Sequence, residues 1–312
     1  MTVSGWVWYI IIIAFIIFIY LIYKNKSKDW KRFENYQNIS IDIGNNLSHY
    51  YYKYFISILK KEDFNYINES LFGNNLETQN KNDFIDSFPK KIKFNPTIYK
   101  LLNENNIQYE KYKNTMSVAF WMTESKEKEK IHLIMKPFMS KIFDETYKTL
   151  KLNKTNPYPI IHFRCADTPF IRSGFYYLQK YEYFKNVLRQ YSYNNVTILS
   201  CTDHLSNEKN KETCNMYVHL LKEELKDFNP IVKCGTNVDD FVSMFYAPLV
   251  ISTQSSFSFM AGYFGKGIYI EPNTMIDDKE CSDCESQYKG YNVPHSQVED
   301  YHNIEDIYLL LI

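Results

Sequence analysis

Three stretches decide the fold: residues 159–167 (PIIHFRCAD), 196–203 (VTILSCTD) and 249–272 (LVISTQSSFSFMAGYFGKGIYIEP). Each opens on a short apolar run rich in Ile, Val and Leu and then turns abruptly polar, which is the pattern of a buried strand with its end at a sheet edge. Between them the period changes. Residues 175–191 place Tyr177, Tyr181, Phe184 and Leu188 on one helical face, and residues 208–225 bring Met216, Leu220 and Leu221 inward. Residues 231–234 read as a further strand and 239–246 as a short helix capped by Asn237 or Asp239. After the strand at 249–252 come a helix over 256–264 and a last strand over 268–271. Strand and helix alternate at short spacing, which predicts βαβ units and a doubly wound parallel sheet. Ligands of such sheets lie beyond the carboxyl ends of the strands, where the polar residues fall.

Outward from this core the chain is less regular. Asn156-Pro157-Tyr158-Pro159 punctuates it like a linker, so residues 157–312 are expected to form one domain and 41–156 another. In the earlier part, residues 49–61 and 142–150 suit helices and 117–122 a strand, while 125–130 (SKEKEK) reads as a solvated charge run. Residues 6–23 (WVWYIIIIAFIIFIYLIY) carry no charge, and at a helical rise of ~1.5 Å they nearly span a hydrocarbon core of ~30 Å. No basic stretch precedes them and no A-x-A-like site follows, so residues 1–23 read as an uncleaved transmembrane anchor and 24–40 as a basic stalk. Residues 24–32 hold five basic side chains, from Lys24 to Arg32, against one acidic. By the positive-inside rule this places the large region in the cytoplasm, with a lumenal, Golgi-type orientation as the alternative. Five N-x-[ST] sequons (Asn38, Asn46, Asn68, Asn153, Asn195) favour the lumen, but a chain this rich in Asn produces such triplets by chance.

Composition excludes several classes. Lys plus Arg and Asp plus Glu both total 36, which leaves no basic surplus for a dedicated nucleic-acid binder. Neither G-x-G-x-x-G nor G-x-x-x-x-G-K-[ST] occurs, so neither glycine-loop nucleotide motif is present. The six cysteines are sparse for 312 residues and are expected as reduced, partly structural thiols. Cys281-Ser-Asp-Cys284 has the spacing of a metal knuckle but lacks convincing further ligands, and no metal site is expected.

The candidate site residues sit at the sheet edge. Arg164 comes where the first strand ends, placed to give a bidentate fork to a phosphate, with Asp167 to orient it or cap the turn. An ordinary Arg–Asp pair at a strand end is the plainer reading. Asp203 can accept from a base or a ribose hydroxyl, or simply cap the next helix. The hydroxyl-rich turn holding Ser255 and Ser256 opens a helix whose free N–H groups suit an anion, with a plain Ser N-cap as the other reading.

HFRCAD, then ILSCTD, then VISTQSSFSFMAGYFGKGIYIEP resembles the α-1,2-fucosyltransferases, and more broadly the fucosyltransferases with an H-x-R-R-x-D motif, over about residues 158–273. The resemblance implies a GT-B-like enzyme: a doubly wound donor domain preceded by a smaller α/β domain and the transmembrane helix. It implies transfer of a sugar, fucose from GDP-fucose, to a glycan hydroxyl with inversion and without a metal or other cofactor. Arg164 would then hold the β-phosphate and act with Asp167 in catalysis, and His162 would lie near the diphosphate. Asp203 would read guanine, and Ser255 and Ser256 would face the phosphates. The implied partners are a sugar nucleotide, a glycan acceptor and the membrane, with no nucleic acid. Three positions depart from the family: Cys165 stands for its second arginine, and Phe259 and Met260 for its tryptophans. These departures support the alternative of a degenerate, non-catalytic relative that binds a nucleotide or glycan at the membrane. No general base is apparent.

Overall fold

The structure, a computed structural model, describes residues 43–66, 84–115, 120, 126–152, 156–165, 179–202, 208–253, 255–273 and 288–292. The expected anchor and stalk, the strand expected over 117–122 apart from Phe120, and Asp167, Asp203, Cys281 and Cys284 lie outside these residues. No helix among the described residues is long and apolar enough to cross a membrane.

The strands of the main sheet are β3 (Ile160–His162), β4 (Val196–Leu199), β5 (Pro230–Lys233), β6 (Leu249–Ser252), β7 (Ile268–Asn273) and β8 (Tyr288–Asn292). They pair in the order β5-β4-β3-β6-β7-β8, every pair parallel. Renumbered from the first strand this is 3-2-1-4-5-6, the doubly wound Rossmann-like order. The chain reaches it because the described crossovers, from β3 through β7, are helical and turn an apolar side to the sheet. Helices α5 (Tyr181–Gln190) and α6 (Glu208–Glu224) cover one face, with Phe184, Val187 and Leu188 of the first and Tyr217 and Leu221 of the second packed on Ile161, Ile198, Ile251 and Ile270. Met216, expected to face inward, is exposed, because α6 turns Cys214, Tyr217, Val218 and Leu221 to the sheet instead.

The other face is covered by α7 (Asn237–Tyr246) and by the segment after β6, a single α-turn (α8, Ser256–Ser258) that widens into a π-helix over Phe259–Tyr263. The cap of α7 is Thr236, whose Oγ1 accepts from the Asp239 amide at 3.1 Å, so neither Asn237 nor Asp239 holds that place. Onto the same face come helices from before residue 156. They are α1 (Ile43–Lys60), α2 (Pro96–Glu104), the short α3 (Tyr109–Tyr112) and the long α4 (Lys126–Thr149). The strands described there, β1 (Phe64–Asn65) and β2 (Lys91–Ile92), form one antiparallel two-residue ladder. Side chains of α1 and α4 share a single core with Ile160, Val250 and Tyr269 of the sheet, so among the described residues this region is a helical layer on the sheet. The charge run proves to be the first turn of α4, and Glu129 within it is buried.

The cysteines differ most from expectation. Cys165 is bonded to Cys214 and Cys201 to Cys234. Cys165, just beyond β3, meets α6 on its own face of the sheet, and Cys201 and Cys234 follow the paired strands β4 and β5. Strand adjacency brings the partners together, and adjacency is invisible along the chain.

Candidate functional site at the strand-order switch

In the order 3-2-1-4-5-6 the connections reverse direction between β3 and β6, and the crevice for a ligand opens beyond the carboxyl ends of those two strands. His162 closes β3 opposite Ser252 of β6. Arg164 follows β3, and Thr253 follows β6. Thr253 spans the switch point: its hydroxyl accepts from the Arg164 amide at 2.9 Å and donates to the His162 carbonyl at 3.2 Å. Arg164 is therefore held by its backbone at the mouth of the crevice, half-buried, as the sequence places it.

Alternation sets the faces. Ile161 and Phe163 pack toward α5 and α6, which leaves His162 on the face of Ile160, toward α1 and α7. Its ring lies 5.4 Å from that of Phe257, and its Nδ1 is enclosed without a hydrogen-bond partner. Burial, reinforced by the Arg164 charge, pulls its pKa down to about 3, so the ring is neutral at physiological pH.

The serines take the capping reading in this structure. Ser255 caps α8, its Oγ accepting from the Phe257 amide at 3.2 Å, and Ser256 donates to Asn45 of α1 at 2.8 Å. Both are buried, and the Ser252 and Ser258 hydroxyls meet at 2.7 Å. These hydroxyls build the turn. Helix α1 seals it, since a Cβ on Gly44 would stand 2.3 Å from the Phe257 amide nitrogen. Only a glycine lets the two helix starts approach so closely.

Sequence reasoning passed over Glu271. The β6–β7 register runs Val250 with Tyr269 and Ile251 with Ile270, so the next positions, Ser252 and Glu271, are neighbours. His162, Ser252 and Glu271 thus form a row across three adjacent strands, on one face, at the carboxyl edge. Glu271 is buried and accepts from Tyr269 Oη at 2.5 Å. Behind the row, Tyr51 and His132 Nδ1 share a hydrogen bond at 2.7 Å. The Lys136 ammonium lies 4.8 Å from the centre of the Tyr263 ring, and burial lowers its pKa to about 8. A glutamate before a proline late in a strand gives no signal in sequence; only the register reveals the row.

These features define a Rossmann-like α/β protein whose polar groups converge at the switch between its central strands. No family model matches the sequence, and neither a curated protein nor a solved structure matches it. Among the described residues no group of His, Cys, Asp and Glu is arranged to hold a metal ion.

Proposed function

We propose that the protein is a membrane-anchored glycosyltransferase that moves a sugar, fucose from GDP-fucose, to a glycan hydroxyl with inversion. The observation that carries this reading is the position of Arg164, at the carboxyl end of the central strand and tied to the strand across the switch point through Thr253. A cation there meets a nucleotide diphosphate where such sheets take their ligands, and a guanidinium fork matches two phosphate oxygens at once. The reading uses the donor half of a GT-B enzyme, residues 157–312. Residues 41–156 supply the acceptor side as a helical layer, and residues 1–23 anchor the chain through the stalk at 24–40. Asp203 reads the base, as the family resemblance implies, and Asp167, a few residues beyond Arg164, orients its guanidinium.

The reaction needs a base. The acceptor oxygen bonds to the anomeric carbon, the bond from that carbon to the β-phosphate oxygen breaks, and GDP leaves with the electron pair. Preorganised donors such as Arg164 offset the charge that develops on the diphosphate. Glu271 is the carboxylate of the row at this edge, and in this reading it receives the acceptor proton. His162, neutral, is a hydrogen-bonding wall of the donor site.

Thermal-shift and turnover measurements with GDP-, UDP- and CMP-sugars test the assignment. GDP-fucose should stabilise the wild type, Arg164→Ala should lose binding, and Glu271→Gln should bind the donor normally with kcat lowered at least a hundredfold. Unchanged binding in Arg164→Ala would sink the site. A second reading, a non-catalytic nucleotide-binding relative, is favoured by two observations. Cys165, standing for an arginine, is locked in a disulfide, and the Ser255 and Ser256 hydroxyls already serve the fold. GDP binding without transfer or hydrolysis would select it.

A further inference from the structure

We propose that Asn195 is an N-glycosylation site and that the domain folds in an oxidising, lumenal compartment, the reverse of the orientation read from the basic stalk. The inference is independent of the glycosyltransferase reading and rests on two unrelated features. The first is the pair of disulfides, Cys165–Cys214 and Cys201–Cys234, which join parts of the fold across sequence separations of 49 and 33 residues. Such bridges persist where thiols are not kept reduced, in the secretory lumen and outside the cell. The same compartments hold the machinery that glycosylates N-x-[ST].

The second is the setting of the sequon Asn195-Val196-Thr197. The chain leaves α5 through Ser192 in a left-handed conformation (φ 56°), and the turn is pinned by the Tyr193 amide to the Leu188 carbonyl at 3.1 Å. On its far side the Asn229 side-chain Nδ2 donates to the Asn194 carbonyl at 3.0 Å. Asn195, between these ties and the start of β4, is exposed. Proximity to a buried strand does not exclude modification here, because Val196 and Thr197 enter the sheet while Asn195 stays outside it. All the main-sheet strands run parallel, so Asn195 lies at the amino edge and the candidate site at the carboxyl edge. The three residue steps of β4, about 3.3 Å each, put roughly 10 Å of strand between them, and a glycan on Asn195 leaves the crevice open.

The co-substrate is an oligosaccharide on a lipid diphosphate carrier. The Asn195 side-chain nitrogen bonds to the anomeric carbon, and the bond from that carbon to the diphosphate oxygen breaks. The lipid diphosphate leaves with the electron pair, and the amide proton passes to a base of the transferring enzyme.

Thr197 makes the test clean. It is buried and its hydroxyl has no partner, so Thr197→Val deletes the sequon without removing a hydrogen bond. The full chain is expressed in eukaryotic secretory cells and analysed with peptide-N-glycosidase and by non-reducing peptide mapping. Expected are both disulfides and a glycosidase-sensitive mass on the Asn195 peptide that vanishes in Asn195→Gln and Thr197→Val and persists in Thr197→Ser. An unmodified Asn195 in wild-type chain with both bridges formed overturns the site. Free thiols at the four cysteines overturn the compartment, and a glycan mass that survives both Asn195→Gln and Thr197→Val overturns the assignment to this asparagine.

Discussion

The two faces of the sheet are covered by different kinds of chain. Toward α5 and α6 the core mixes Ile, Val and Leu with fewer rings, Phe163 stacked on Tyr217 at 4.3 Å among them, and all its members lie between residues 161 and 270. Toward α1, α4 and α7 the core is a mesh of rings gathered from residues 43–269, in which Phe143 alone touches Phe88, Tyr147, Phe241, Phe245 and Phe264. One face is closed locally, by the crossover helices themselves, and is stapled by Cys165–Cys214. The other is closed by α7 and the turn after β6 together with helices from before residue 156, and depends on ring packing. A sheet with both faces apolar can complete itself with whatever amphipathic helices the chain provides, and the means of fastening then differ with sequence distance.

Breaking the aromatic face should cost most. Phe143→Ala is expected to lower stability by about 4–5 kcal/mol, seen as a reduced denaturant midpoint in a single transition. A separate early transition, with the sheet still folded, would show that the two faces are independent units. Nearly as large an effect is expected on the other face. Replacing Cys165 and Cys214 together by Ser frees a long loop and should cost about 4 kcal/mol on a chain-entropy estimate. An unchanged guanidinium midpoint in that double variant would mean the staple is dispensable.

A smaller difference, sharpened by pH, concerns His162. Its folded pKa, near 3, lies below the ordinary 6.5, so the unfolded chain takes up a proton first as pH falls. The contribution of the neutral ring is complete above pH 6.5 and drains away as pH drops toward about 3. In His162→Gln the fall in Tm between pH 7 and 4 should be shallower than in the wild type, and an identical slope would remove His162 from the acid response. Least of all should be the loss from Asp144→Asn on α4. Burial tends to raise its pKa, but hydrogen bonds from Lys148, Lys266 and Tyr246 outweigh this and hold it below the usual carboxylate range. The variant should lose about 1 kcal/mol in a denaturant titration at neutral pH, and less at high salt.

The local face is also the legible one. The runs 160–162, 196–199 and 249–252 and the periods of α5 and α6 sit within tens of residues of one another, so their pattern alone specifies βαβ winding. The position of Arg164 at the strand edge follows from it. What needed three dimensions was everything fixed by adjacency. The cysteine partners follow from strand order and helix placement, and the row of His162, Ser252 and Glu271 follows from the register. Ser255 and Ser256 look like an anion cradle until Asn45 and the Phe257 amide are seen to claim their hydroxyls. Glu129 reads as solvated because its neighbours are charged, yet the helix turns it inward. The expected helix over 256–264 becomes α then π. There Gly262 lies so close that an added Cβ would stand 2.7 Å from the Tyr269 ring, a fit set by the sheet beneath.

The strand order also schedules the birth of the molecule. Ile160 of β3 pairs on one side with Thr197 and on the other with Val250. Both bridges close among residues 165–234, which emerge before β6. At roughly 5–20 residues per second of synthesis, several seconds separate the first neighbour of the central strand from its second. During that interval the nascent chain holds β3, β4 and β5 with one flank of β3 bare, and early oxidation can fasten those strands before the partner that completes the crevice arrives.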